Sequence, residues 1–485
     1  MAGIWSDKRF VQKRSATLTS ATASGAAPNE ESDPQSWRSR FQQDYDRLLF
    51  STPVRRLSDK TQVWPMDEND GVRTRLTHSH EVANLARSIG SRIATKRPGI
   101  FGDADLHLTV QPILQAIGLA HDLGNPPFGH QGEVAISRWF EHRKDWIFSM
   151  YDKNGKELPI SVPEHLRQEF TNFDGNPQSL RLITKLQTHV AYAGIDLTAA
   201  TLAASLKYPV SAENRRRDKP ALKKLGYFHS EVDIVQWIRE ETGLCEGQRH
   251  PLTWIMEACD DIAYSVLDVD DVMKKGIISP DDVFAILASH NDLKDSDVVT
   301  RIHRSFDAVH AQKRRAEVAR DVKIGYVRAH LIEALITTAS ASFLDQAAAI
   351  MAFTHETPLM EESVLCNVLK GVANQYAFSN SSVLRMEAIG AAAIDGLMSF
   401  FWAAISDRSD FNNLASRRRN AKAKFGYSLI SPNYVENAVD NCAVTGGEGG
   451  VRYRELRLLT DMVSGMTDTF AIKLWREVNE VPDCP

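Results

Sequence analysis

The sequence predicts a mainly α-helical protein, and three observations carry the prediction. Apolar residues recur at three- and four-residue steps along most of the chain from Trp37 onward. Long Ala-rich, helix-favouring stretches such as "EAIGAAAIDGLMSFFWAAI" fill the second half. Strand signals are few. The short candidates are "TQVWP" and "YDKNGKELPI", the latter able to close at most a small hairpin at Asn154-Gly155.

Taken in order, residues 1–36 are rich in Ser, Thr, Ala and Gly and poor in large apolar side chains, which predicts a flexible N-terminal tail. "HEVANLARSIGSRIA" sets Val82, Leu85, Ala86, Ile89 and Ile93 on one helical face. In "PILQAIGLAHDL", Ile113, Leu114 and Ile117 share a face with His121, and Pro126 and Pro127 must end that helix soon after. His130 and Glu133 then open the next helix at i, i+3. "WIMEACDDIAYSVLDVDDVM" repeats the pattern with Ile255, Cys259, Ile262, Val266 and Val269. No repeat of fixed period and no clear linker interrupts the region after residue 37.

The 485 residues suffice for one large domain or two to three ordinary ones, and 43% hydrophobic with 25% charged residues is an ordinary globular balance. A net charge of −5 gives no global attraction to a polyanion, so a nucleotide or nucleic-acid site needs local basic clusters. Five cysteines, at 245, 259, 366, 442 and 484, include no Cys-x-x-Cys pair, which argues against a disulfide framework or zinc ribbon and for a reducing, cytoplasmic setting. No apolar run approaches the roughly 18 residues of a membrane span, and the first residues lack the apolar core of a secretory signal.

Chemistry concentrates around "HDLGNPPFGHQGE". His121 lies on the apolar face of its helix, where an imidazole is ordinarily satisfied by a backbone carbonyl. Asp122 beside it changes that reading, because a buried carboxylate is costly unless a cation offsets it. The proline turn brings His130 and Glu133 into the same small volume. "RTRLTHSHEV" adds His78 and His80, and "MEACDDIAYSVLD" adds Glu257, Asp260, Tyr264 and Asp268 as a polar stripe that alone would pass for a solvated face. Two imidazoles and two carboxylates from three helices suit a borderline-to-hard divalent ion such as Mn²⁺, Mg²⁺, Fe²⁺ or Zn²⁺, with open positions for water and a phosphate oxygen. Without a thiolate, a structural zinc site does not fit.

His…His-Asp…Asp is the signature of the HD superfamily of phosphohydrolases. "RRLSDKTQVWP", "RTRLTHSHEV", "HDLGNPPFGHQGE", "NFDGNPQSLR", "LTAATLAASLKYP", "EACDDIAYSVLD" and "SGMTDTFA", in this order over roughly residues 50–470, resemble the bacterial deoxyguanosinetriphosphate triphosphohydrolase family. The resemblance implies a multi-helix HD-domain catalytic core over 37–280 and a helical C-terminal region, 281–485, packed on it. It implies that His78, His121, Asp122 and Asp260 hold one metal, manganese or magnesium, with iron, cobalt or zinc as alternatives. His80 is read as outside the ligand set, and Asp260 is chosen over Asp261 because its distance of one helical turn from Tyr264 and two from Asp268 matches the spacing in the family it resembles.

The same resemblance makes His130 and Glu133 the catalytic pair for hydrolysis of a dNTP at the α-phosphorus, giving a deoxynucleoside and tripolyphosphate. Whether His130 acts as acid or base stays open. Arg75 and Lys207 match basic positions around the triphosphate, and Asn125, Tyr208, Tyr264 and Asp268 match positions near phosphates and sugar. Gln62 and Val63 occupy the stretch that contacts the deoxyribose in relatives, where an apolar side chain at C2′ would exclude a ribose hydroxyl. The chain departs from the family's Glu-Gly-Asn-Ala-Gln, reading Asp174-Gly175-Asn176-Pro177-Gln178.

Two basic runs, "NRRRDK" and "SRRRNAKAK", are read as solvated surface or, as the family offers, as an allosteric dNTP site at a subunit interface or a contact to single-stranded DNA. The resemblance also implies a homo-oligomer, a hexamer in preference to a tetramer. Two alternatives stand beside the leading reading. One is an HD phosphodiesterase or nucleotidase acting on another phosphate ester, and the other is a nucleic-acid-binding regulatory protein on an HD scaffold.

Overall fold

Local signals start the helices where the periodicity places them. In a computed structural model, which describes residues 2–11, 37–67, 71–149, 161–189, 194–410, 413–440 and 450–480, helix α1 (Arg40–Leu49) begins at a reciprocal cap between Ser39 and Gln42. Helix α2 (Arg75–Lys96) follows Thr74, whose N–H donates to Thr77 Oγ1 at 3.1 Å. Helix α3 (Gln111–Ala120) runs to His121 and gives way to a turn through Pro126 and Pro127 before α4 (Gly129–Glu141). The core continues with α5 (Gly175–Thr184), α6 (Ala199–Ser205) and α7 (Pro251–Lys274), whose cap His250 accepts the Leu252 N–H at 3.2 Å. Beyond it lie α8 (Ala316–Asp345), α9 (Val364–Ala373), α10 (Ser381–Ser406), α11 (Gly450–Ser464) and α12 (Asp468–Glu480). No strand occurs among the described residues. Thr61 of the "TQVWP" candidate makes only an isolated bridge to Thr74, and "YDKNGKELPI" lies outside the described residues.

One crossing sets up the site. A Cβ at Gly118 would stand 2.6 Å from Ala83 Cα, so only glycine lets α2 and α3 approach this closely. That approach brings His78 and His121 within reach of each other.

Two apolar clusters fill the interior. One joins α2, α3 and α7 to α8 and α9 through Ile89, Ile113, Ile262, Leu331 and Leu369, all fully buried. The other joins α4 to α10 and α11 through Ile136, Trp139, Leu397, Phe401 and Leu456. Each fully buried aliphatic or aromatic side chain contributes about 1.5–3 kcal/mol relative to exposure. Both clusters draw on either side of residue 280, so the C-terminal helices complete the core rather than rest against a finished one.

Two expectations need correction. The flexible tail does not include residues 2–11: Ile4 is buried, Trp5 sits edge-on to His250 at 5.2 Å, and buried Arg9 pairs with Asp44 at 3.0 Å. The Ser/Thr/Ala/Gly bias of the whole stretch hid these large side chains. Conversely, α10 contains an 18-residue stretch long and apolar enough by composition to cross a membrane, with a mean hydropathy of 1.6. Its Ile394, Leu397, Met398, Phe401 and Ile405 are instead buried within the protein.

Candidate active site

His78 comes from the first turn of α2, His121 from the end of α3, and Asp260 from the middle of α7. His78 Nε2 lies 3.4 Å and His121 Nε2 3.5 Å from Asp260 Oδ1, and the three ligand atoms fall within 4.8 Å of one another. His121 Nδ1 donates to the Gly118 carbonyl at 2.7 Å, so in the neutral ring it is Nε2 that offers a lone pair toward the cluster. Neither that nitrogen nor either nitrogen of buried His78 has a hydrogen-bond partner. Orphaned imidazole nitrogens beside a carboxylate are the donor set of a divalent cation.

The electrostatics agree. Burial would raise Asp260, but Lys207 at 3.2 Å and the two imidazoles hold it well below the usual carboxylate range. Burial works against a proton on His121, yet Asp122 and Asp260 outweigh it and raise that imidazole to about 9. A site that concentrates negative potential on a buried imidazole suits a cation better than a neutral molecule. Asp122, the fourth expected ligand, is 3.6 Å from His121 Nε2 but is turned onto Arg75 at 2.6 Å and Asn125 at 2.5 Å.

The turn into α4 sets the second group. Phe128 and Gly129 both have positive φ, and a Cβ on Gly129 would come within 2.4 Å of the Arg75 guanidinium. His130 then projects outward with its side chain 76% exposed, while Glu133 is buried. His130 Nδ1 donates to Glu133 Oε2 at 3.0 Å, and Glu133 Oε1 accepts the Gly175 N–H at 2.7 Å. The bond to Glu133 raises the His130 pKa.

The structure places the other expected residues variously. Lys207 reaches Asp260. Tyr208 is buried, with Arg249 over its ring at 5.5 Å. Tyr264 stacks on Phe378 at 5.5 Å, with 13° between the rings. Asp268 is fully enclosed, bonded to Arg73 at 2.5 Å and pushed up to about 7 by burial despite that arginine. Val63 is buried, and half-buried Gln62 leaves its Oε1 without a partner. His80 is exposed, and Asp261 pairs with Lys370 of α9 at 2.8 Å.

Other residues at the site escaped the sequence reading. Arg73 spans Asp268 and Asp271, the latter at 3.0 Å; its signal was the doubled arginine of "RTRLTH". Lys224 pairs with Asp174 at 2.6 Å beside Glu133, and nothing in "ALKKLGYF" singled it out. Buried Lys60 donates to the Asn125 carbonyl at 2.5 Å and the Ser464 carbonyl at 2.9 Å.

Known proteins resemble this chain both over one domain and over nearly its full length. The HD domain family matches residues 75–183, a span that holds Arg75, both histidines of the cluster, Asp122 and the His130–Glu133 pair. A deoxyguanosinetriphosphate triphosphohydrolase-like protein of Listeria monocytogenes is 33% identical over 91% of this chain and 94% of its own. A like-named protein of Pseudomonas aeruginosa is 30% identical over 91% and 93%. A deoxyguanosinetriphosphate triphosphohydrolase of Salmonella paratyphi A is 31% identical over 91% and 94%. With its HD helices, its His/Asp cluster and this near full-length similarity, the chain belongs to the deoxyguanosinetriphosphate triphosphohydrolase family of HD-domain phosphohydrolases.

Proposed function

We propose that the protein is a divalent-metal-dependent dNTP triphosphohydrolase that cleaves dNTPs, dGTP among them, to deoxynucleoside and tripolyphosphate. The observation that carries this reading is the meeting of orphaned His78 and His121 nitrogens with Asp260, joined through Asp122 and Arg75 to the turn at Gly129 from which the polarised His130–Glu133 pair starts. His78, His121 and Asp260 would hold manganese or magnesium, with Asp122 the adjacent fourth carboxylate. When bound, such an ion polarises a phosphoryl oxygen and acidifies water.

The protein groups do the rest. Water attacks the α-phosphorus and sheds a proton to solvent as the new P–O bond forms, the bond to the 5′-oxygen breaks, and the departing oxygen takes a proton, so that one water is divided between tripolyphosphate and deoxynucleoside. His130 is placed to give it: Glu133 holds Nδ1 and favours the protonated ring, so Nε2 presents its proton to the cleft. Arg75 and Lys207, already beside Asp122 and Asp260, counter the charge of the triphosphate. The segment through Gln62 and Val63 is assigned to rejecting a 2′-hydroxyl.

The test incubates the purified protein with each dNTP and with GTP, plus Mg²⁺ or Mn²⁺, and resolves products by phosphorus NMR beside an Asp122→Ala control. Tripolyphosphate from dNTPs, absent with GTP and with the control, is expected. Orthophosphate or pyrophosphate as the sole product overturns the reading.

A further inference from the structure

A cavity of ≈ 580 Å³ opens beside the catalytic pair. One wall is α4, carrying His130, Glu133 and, about two turns on, Arg138. Across the opening stand Asp174, Arg215 and Lys224. Arg215 belongs to the "NRRRDK" run, so one of the two basic runs in the sequence lines the catalytic cleft. The other does not behave this way. Its Arg418 is buried as a clip, donating to the carbonyls of Ala404 at 2.7 Å and Leu414 at 2.8 Å.

The charge ledger of this cavity is uneven. Glu133 is engaged by His130 and Gly175, Asp174 by Lys224 at 2.6 Å, and Glu141 by Lys144 at 2.5 Å. Arg138 and Arg215 pair with no carboxylate among the described residues. Every acid in the wall is therefore satisfied, and the surplus is two guanidiniums that arrive from separate segments. Planar guanidinium forks match phosphate oxygens in a bidentate way that ammonium groups do not. A space continuous with His130 is where a polyphosphate reacting at its α-phosphorus has room to extend.

We propose that this cavity is a polyphosphate subsite in which Arg138 and Arg215 grip the distal phosphates of the substrate and of the tripolyphosphate product. The proposal rests on the triphosphohydrolase reading above, and it makes free inorganic tripolyphosphate a ligand in its own right. The same two residues then govern how tightly product is retained.

Isothermal titration of inorganic tripolyphosphate into the intact protein in excess Mg²⁺ tests this with wild type, Arg138→Gln, Arg215→Gln and the double variant. A thermal melt checks that each folds. About tenfold weaker binding per substitution is expected, with partial recovery in the Arg→Lys variants. Equal affinity in wild type and double variant overturns the proposal. So does loss of binding to a single-stranded oligonucleotide with tripolyphosphate binding unchanged, which would give the cleft to nucleic acid. Product analysis runs in parallel and separates the two claims. Arginine-dependent tripolyphosphate binding in a protein that releases none from dNTPs keeps the subsite and removes the triphosphohydrolase reading. Release of tripolyphosphate without arginine dependence does the opposite.

Discussion

Asp468 accepts the backbone N–H of Phe128 at 3.0 Å, although 340 residues separate them. Its other oxygen accepts the Thr61 N–H at 2.9 Å and the Thr61 hydroxyl. The first residue of α12 thus holds both the turn that launches His130 and the segment that precedes Gln62 and Val63. Phe128 sits at positive φ, a conformation that surroundings must enforce in a non-glycine residue.

Removing this carboxylate leaves two backbone N–H groups short of their acceptor. Asp468→Ala should therefore cost about 1–3 kcal/mol for the buried Phe128 N–H left unpaired, with a smaller addition from half-buried Thr61. Activity should fall further than stability explains, because the His130 turn loses its anchor. Chemical denaturation and kcat measured on one preparation decide it; a variant with wild-type kcat and lowered stability makes Asp468 a fold residue alone.

Metal binding should invert a stability order. His78 is buried with both ring nitrogens unpaired. In chelator, His78→Leu should melt at or above the wild-type temperature, since a desolvated imidazole has been replaced by an apolar side chain. In Mn²⁺ at about 100 times its Kd, wild type should gain about 2.7 kcal/mol and the variant little. Melts that keep the same order with and without Mn²⁺ would argue that His78 is no ligand.

Activity should depend on pH through His130. Glu133 raises the pKa of this imidazole, so the proton-donating form persists to higher pH than it would alone. A general acid loses activity as pH rises through its pKa, which gives kcat/KM an alkaline limb. Glu133→Gln removes the negative partner, so that limb should move to lower pH. A limb that stays in place would assign it to another group.

How much of this was legible in the sequence differs residue by residue. The faces of α2, α3 and α7 follow from periodicity, and so does the presence of His78, His121 and Asp260 on helices; the resemblance implies these three together with Asp122, and the structure brings the three into one cluster while Asp122 turns aside. Which way Asp122 turns was not legible, because its choice of Arg75 and Asn125 depends on a tight helix crossing at Gly118 that no local pattern encodes. Lys60 was invisible for a different reason. It ties two backbone carbonyls, from Asn125 and Ser464, and main-chain acceptors carry no sequence signature. The two basic runs looked alike as strings, yet one contributes a buried clip and the other a cleft arginine.

Lys60 should leave its mark on the pH dependence of stability. Burial lowers its pKa to about 7, against about 10.5 for the unfolded chain. Between these values the unfolded state binds a proton that the folded state does not. Stability associated with this group is whole above about 10.5 and is lost as pH falls toward 7, by at most about 1.4 kcal/mol per pH unit. Lys60→Met removes that slope. Urea denaturation at two alkaline pH values should show wild type losing ground to the variant at the lower one, and a difference independent of pH would refute it.

Gly175 supplies the sharpest test of how the proposed catalytic pair, His130 and Glu133, is held. Its N–H donates to Glu133, and a Cβ built there would lie 2.4 Å from Asn125 Oδ1, 3.2 Å from Asn125 Cα and 3.1 Å from Glu133 Oε1. The Asn125 amide cannot simply swing aside, because its nitrogen is bonded to Asp122. Gly175→Ala must therefore push on the turn carrying Asn125 and on the carboxylate that orients His130. One methyl group, remote from any reacting atom, should lower kcat by about 10²-fold, the scale of a misplacement near 1 Å. KM should change less, since Lys207, held at Asp260, makes no contact with Gly175 or Asn125. A variant whose alkaline limb and kcat both match wild type would show that Glu133 has slack, and that the short path from Gly175 through Glu133 to His130 does not position the proton donor.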